Sequence, residues 1–120
     1  MVYAPVLQCE FLIPTCRDCE VSDGLEHEVE EWEWLDTELF LRFDGGTLAP
    51  GLYSGFYRDP DTGQRVNDES HKFIVAVTES KVDQIREMLA AACVRFEQKC
   101  IYLSVAGRVE FIEASDSDPG

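Results

Sequence analysis

The residues with the clearest chemical potential are Cys16 and Cys19, two thiols separated by two residues. At this spacing two thiolates can converge on one metal ion or form a redox-active disulfide. A structural zinc site needs two more ligands, and His27 is the nearest residue of a suitable type. One hypothesis is therefore a metal or thiol-redox site at Cys16 and Cys19. The other is two loop cysteines without a chemical function, and the sequence predicts no bound cofactor.

A second candidate centre is the carboxylate of Glu10, which lies in an alternating apolar and polar segment. A carboxylate held among tyrosines loses solvation, which raises its pKa and suits it to general acid or base chemistry. The competing interpretation is an ion pair with Lys72 or Arg108 across a sheet. The candidate catalytic residues predicted from the sequence are Glu10, Tyr57, His71 and Tyr102.

No established catalytic arrangement can be recognised from spacing. The two histidines, His27 and His71, do not fit a Ser, His and Asp pattern or a Cys and His pattern, and each is interpreted as a cap or loop residue. The glycines at 45–46 and 51 lack the spacing of a phosphate-binding loop. The sequence therefore names no reaction.

Hydrophobic periodicity predicts the elements that must position these residues. Apolar residues alternate from Val6 to Ile13, as in a strand with one buried face, and recur at three- and four-residue steps from Leu25 to Phe43, as in an amphipathic helix. Further strands are predicted at 52–57, 72–78 and 100–105, and a second helix runs from the Ser80 cap to Phe96. The run 109–112 either extends the last strand or begins an edge strand.

This order, βαββαβ, predicts an α+β fold. Right-handed crossovers fold it most simply into a ferredoxin-like plait, a four-stranded antiparallel sheet with both helices on one face. The first strand then lies between the third and fourth. The helix-covered face holds the core, and the open face carries Glu10 and Tyr102, joined by Tyr53 and Tyr57 if these share it.

An open face with aromatic side chains suits either a dimer interface or the wall of a ligand pocket. The leading hypothesis from the sequence is a non-catalytic binding module that self-associates through this face, giving a homodimer or other homo-oligomer. The alternative is a small dimeric enzyme with a pocket around Glu10 and Tyr102.

Composition limits the class of protein and partner. A chain of 120 residues suits one domain, predicted at 1–113, followed by a disordered acidic tail at 114–120. The net charge of −14 argues against nucleic acid and anionic membranes. The segment from Asp18 to Glu38 holds ten carboxylates and no Lys or Arg, so the first helix is either a solvated surface or a docking face for a basic protein. Five cysteines and no basic leader predict a cytoplasmic protein.

The segments 50–57, 69–70 and 101–107 contain short glycine and aromatic patterns, such as Pro-Gly-Leu-Tyr-Ser-Gly-Phe-Tyr. They resemble small bacterial α+β domains that are known mainly as families of unknown function. The resemblance covers most of the chain and implies the same plait, without a reaction or a catalytic residue.

Overall fold

The computed structural model describes residues 5–114, which form two helices and one six-stranded antiparallel sheet. The α+β class is confirmed. The predicted disordered tail, apart from Ala114, lies outside the described residues. The elements are β1 (Leu7–Pro14), α1 (Val29–Phe43), β2 (Thr47–Leu48), β3 (Tyr53–Arg58), β4 (Arg65–Val77), α2 (Val82–Arg95), β5 (Cys100–Val105) and β6 (Arg108–Glu113).

The sheet order is β2-β4-β1-β5-β6. The strand β3 also pairs with β4, along its N-terminal half, whereas β2 pairs with its C-terminal half. The first strand lies between β4 and β5, as predicted. The four-stranded ferredoxin-like plait is not confirmed, because the sheet has six strands. The two-residue β2 adds to the edge at β4, and β6 forms a hairpin with β5 instead of extending it.

The strand β4 differs most from its prediction, since it begins at Arg65 and not at Lys72. Its first half, Arg65–Ser70, pairs residue by residue with β3. This half is polar on both faces, so hydrophobic periodicity predicts a loop there. The ladder of backbone hydrogen bonds, which apolar spacing does not report, makes it a strand.

The first helix begins at Val29, four residues after the predicted start. Glu28 has an extended backbone (ψ 152°), and Glu26 forms an isolated β-bridge with Cys16. The segment before α1 is therefore tied to the loop after β1. The second helix begins with a 3-10 turn at Glu79–Lys81, and no side chain caps it, contrary to the predicted Ser80 cap.

The core lies between the two helices and one face of the sheet. Cys9, Phe11 and Ile13 of β1 are fully buried, as their alternation predicts, and Phe11 stacks on Phe73 with 5.2 Å between ring centroids. The helices contribute Leu35, Leu39, Phe43, Val82, Ile85, Met88, Leu89, Ala92 and Cys93. The opposite face of the sheet is left without a helical cover, so ligands can reach it. No helix in the part described is long and apolar enough to cross a membrane.

Candidate functional site

A cavity of about 280 Å³ opens on the sheet face that the helices leave uncovered. It forms where the β3–β4 hairpin meets the end of β1 and the start of β5. We call it the aromatic cavity, because its walls include Tyr53, Tyr57, Tyr102 and Phe111. Its polar lining residues are Asp18, Glu20, Ser54, Asp59, Asp68, Ser70, Gln98, Lys99 and Cys100.

Strand register explains why these side chains converge. Tyr53 pairs with Ser70, and Gly55 pairs with Asp68. Residues opposite one another in an antiparallel pair lie on the same face, and every second residue shares that face. Ser70 also pairs with Pro14 of β1, which shares a face with Glu10, so Tyr53 and Tyr57 lie on the open face.

Asp68 is a carboxylate in the wall of the aromatic cavity. It is half-buried, and no Lys, Arg or His among residues 5–114 lies within ion-pair distance of its carboxylate. Burial alone raises the pKa of this carboxyl above its ordinary value. Glycine at position 55 makes room for it, since a Cβ there would lie 3.0 Å from Asp68 Oδ1.

Tyr57 lies two residues beyond Gly55 on the same face. Burial raises the pKa of its phenol, and the nearby negative charges of Asp18 and Asp68 raise it further. The phenol therefore keeps its proton at neutral pH and remains a hydrogen-bond donor. A base and a neutral donor thus line the same cavity.

The electrostatics of the cavity are strongly negative. Lys99 is the one basic residue in its lining, and its ammonium is already engaged, 3.0 Å from Glu20 and 3.5 Å from Asp61. These contacts raise the pKa of Lys99, so it stays charged. Glu20, Asp59 and Asp61 place one oxygen each within 4.8 Å of one another, and Lys99 supplies a cation to this group.

A second, larger cavity of about 690 Å³ lies between the β3–β4 hairpin and the loop after β1. We call it the loop cavity. It shares Tyr57 and Asp68 with the aromatic cavity and adds Arg17, Cys16 and Cys19. Asp68 therefore borders both spaces.

The structure does not bring Cys16, Cys19 and His27 to one point. Within residues 5–114, the acidic group around Asp59 is the one set of three His, Cys, Asp or Glu residues with ligand atoms that close together. His27 is buried, with Nε2 donating to the Pro14 carbonyl at 2.8 Å. Burial lowers its pKa, so the ring is neutral and its Nδ1 is an acceptor without a partner. The cysteines line the loop cavity instead.

The four predicted catalytic residues separate into three places. Tyr57 and Tyr102 line the aromatic cavity. Glu10 lies on the same face but outside that lining, and its Oε1 is 3.2 Å from Lys72 Nζ, which is the ion pair that the competing interpretation describes. His71 lies on the helix side, where its ring meets Trp32 edge-on at 5.2 Å.

Sequence reasoning missed Asp68 because it lies in the polar half of β4. The sequence does contain one signal. Tyr53, Gly55 and Tyr57 occupy every second position of a six-residue segment, and after a turn a polar segment of the same length follows at 65–70. That pattern fits a hairpin with one functional face, although apolar counts alone do not reveal it.

No family model matches the chain, and no curated protein matches it. Two solved structures share its fold. One is a phage SAM lyase in complex with S-methyl-5'-thioadenosine, 14% identical, with a TM-score of 0.70 over 98% of this chain and 97% of that one. The other is a phage SAM lyase in the apo state, 12% identical, with a TM-score of 0.61 over 91% and 90% of the two chains. At these identities the likeness establishes the fold.

The prediction of a non-catalytic interaction module was wrong by this comparison. Both structures that share the fold over nearly the whole chain are lyases, so the alternative hypothesis of an enzyme agrees better with the findings. The prediction was based on the open sheet face. An uncovered aromatic face suits a protein interface and a ligand pocket equally well, so this feature does not distinguish the two.

Proposed function

We propose that this chain is a lyase that acts on S-adenosylmethionine or a closely related sulfonium nucleoside, with the aromatic cavity as its site. The carrying observation is a half-buried carboxylate, Asp68, in a cavity walled by aromatic rings, with no cationic partner within residues 5–114. The fold shared with two phage SAM lyases supports the reaction class.

The cavity chemistry favours a cationic, partly aromatic ligand. The rings of Tyr57, Tyr102 and Phe111 suit a sulfonium or ammonium and stacking on a purine. The Tyr53 ring already has the Lys72 ammonium over it, at 5.3 Å from its centroid. The carboxylates of the lining outnumber its one lysine, which increases the local concentration of cations. A neutral thioether product interacts less strongly with the same groups, which promotes its release.

Asp68 is assigned as the base of an elimination. One proton passes from Cβ of the substrate's aminobutyrate chain to the Asp68 carboxylate, the C–H electron pair forms a Cβ=Cγ double bond, and the bond from Cγ to sulfur breaks. The aminobutyrate chain leaves as 2-aminobut-3-enoate. Sulfur keeps the electron pair of the C–S bond, so the neutral thioether S-methyl-5'-thioadenosine leaves. The raised pKa of Asp68 brings its proton affinity closer to neutral pH, where a base transfers protons most effectively. Tyr57 donates a hydrogen bond to the substrate.

The test incubates the purified protein with S-adenosylmethionine and measures release of S-methyl-5'-thioadenosine by chromatography. We expect release well above spontaneous breakdown, a loss of at least about 100-fold for Asp68→Asn, and a smaller loss for Tyr57→Phe. Asp36→Asn, a matched change at an exposed carboxylate on α1, is expected to leave the rate unchanged.

Two results would overturn the proposal in different ways. Release no faster than spontaneous breakdown would exclude the lyase activity. Release that survives Asp68→Asn but is abolished by Glu10→Gln would retain the activity and transfer the role of base to Glu10. Circular dichroism of each variant verifies that it is folded.

A further inference from the structure

A groove separate from the aromatic cavity runs along α1 on the helix side of the molecule. Two adjoining cavities of about 510 and 490 Å³ form it and share Trp32, Leu48 and His71. One wall is α1 with the segment before it, and the other is the 45–52 segment that contains β2. We call this the helix groove.

The groove is apolar and uncovered. Phe40, Leu48 and Leu52 in its lining are 65%, 55% and 48% exposed. Its floor is Trp32, whose ring packs against His71, His27 and Phe73. Apolar side chains grouped in a groove of this kind are typical of surfaces that bind another protein.

Charge identifies the kind of partner. One cavity of the groove ends in Glu26 and the other in Asp36, and no Lys or Arg in residues 5–114 lines either. Both carboxylates are exposed and belong to the acidic stretch from Asp18 to Glu38. A second copy of this chain brings the same charge of −14, so electrostatic repulsion disfavours it as the occupant.

His27 adds an acceptor in the wall of the groove. Its Nδ1 has no partner, and because Nε2 donates to Pro14 the free nitrogen can only accept. Lysine and arginine side chains carry donors and no acceptors, which suits the carboxylates of Glu26 and Asp36 at this otherwise apolar groove.

We propose that the helix groove binds a basic segment of another protein, in which one or two apolar side chains are flanked by Lys or Arg. The apolar side chains pack between Trp32, Leu48 and Phe40, and the flanking cations pair with Glu26 and Asp36. This interaction is independent of the lyase proposal, since it uses the opposite side of the sheet.

The test measures binding of a fluorescein-labelled peptide, Lys-Arg-Leu-Phe-Lys-Arg, to the full chain by fluorescence anisotropy. The double variant Glu26→Lys and Asp36→Lys is expected to weaken binding more than tenfold. The control, Glu79→Lys with Glu113→Lys, changes the net charge equally at exposed sites outside the groove and is expected to weaken it less than twofold.

The apolar part of the groove is tested separately. Leu48→Ser is expected to weaken peptide binding about fivefold, while Val94→Ser, at a 63% exposed valine outside the groove, leaves it unchanged. Equal weakening by both charge pairs would overturn the proposal, because binding would then reflect net charge alone. A native oligomer that dissociates on Leu48→Ser would also overturn it by assigning the groove to a second copy.

Discussion

At the scale of single residues, burial decides which cysteines can react. Cys93 is buried, and its Sγ lies 3.1 Å from the Ile112 carbonyl, to which it donates. Burial raises the pKa of Cys93 to about 12. Because the thiolate is the reactive form, this thiol is inert at neutral pH.

The number of reactive thiols in the folded protein can be measured. With excess Ellman's reagent at pH 8, we expect the folded protein to expose at most three of its five thiols, the exposed Cys19 and Cys100 and the half-buried Cys16. Cys9 and Cys93 react only after denaturation, since their side chains are 0% and 1% exposed and the reagent cannot reach them. Rapid reaction of all five thiols in the native state would contradict this packing.

Burial also raises the pKa of Asp68, the proposed base of the aromatic cavity. Its pKa rises because burial is not compensated by a cation, whereas Glu10 on the same face pairs with Lys72. Two carboxylates on one sheet face thus receive different environments. Which of them is unpaired depends on neighbours from other strands, and no local pattern around either residue encodes it.

At the scale of elements, the loop between β1 and α1 positions the floor of the loop cavity. Arg17 holds Asp23 in a two-bond ion pair at 2.6 and 3.0 Å, and the same carboxylate accepts from the Leu25 amide. Arg17 also lies 3.5 Å from Glu97, beyond the end of α2. The loop that carries Cys16 and Cys19 is therefore tied to itself and to the end of the second helix.

This ion pair predicts a pH-dependent stability. Arg17, with the Leu25 amide, lowers the pKa of Asp23 to about 2, from an ordinary value near 3.8. A lowered folded-state pKa stabilises the fold fully above the unfolded value, and the contribution is lost as pH falls through the folded value. We expect Asp23→Asn to lower the melting temperature at pH 6 and to have little effect near pH 2.

The control for this measurement is Glu33→Gln, which neutralises an exposed carboxylate on α1. It is expected to change the melting temperature little at pH 6. A difference between Asp23→Asn and the parent protein that stays constant from pH 6 to pH 2 would show that the ion pair is not its cause.

A strand can be predicted from the sequence when one of its faces is buried, because apolar residues then alternate. It cannot be predicted in this way when both faces are exposed. The buried alternation of β1 and β5 predicts both strands to within about a residue. The polar half of β4 and the two-residue β2 carry no hydrophobic period, so the sequence predicts no strand at either place. The late start of α1 has a tertiary cause. Glu26 forms a β-bridge with Cys16, so its backbone is not available for the helix that the apolar spacing predicts from Leu25.

At the scale of the whole molecule, the balance of 24 acidic and 10 basic residues dominates. The radius of gyration is 14.7 Å, so at about 0.01 M salt, where the screening length is about 30 Å, the charges of the whole molecule repel one another. At about 0.15 M salt the screening length falls to about 8 Å, and most of this repulsion is removed.

Stability is therefore expected to increase with ionic strength. The melting temperature should rise by a few degrees between about 0.01 and 0.15 M sodium chloride, as measured by circular dichroism. The variant Glu30→Gln with Glu33→Gln, which removes two exposed charges from α1, should melt higher at low salt and show a smaller rise. A melting temperature that falls with salt would mean that favourable ion pairs outweigh the net repulsion.

The homo-oligomer expected from the sequence stays a prediction. The open face does expose Val109 and Phe111 at 51% and 64%. Phe111 is also part of the aromatic cavity, so a ligand and a second copy would compete for it or share it.

The sequence by itself determined the α+β class, the two amphipathic helices, the buried face of β1 and the acidic surface of α1, because each depends on the period of a contiguous segment or on its charge. It also predicted Tyr102 on the open face and left the face of Tyr57 as a condition, which the pairing of β3 with β4 decides. Only the tertiary structure decided that Asp68 is the unpaired carboxylate beside them. Its environment is built from β1, β3, β5 and the 15–24 loop, and the pairing of distant segments leaves no local period in the chain.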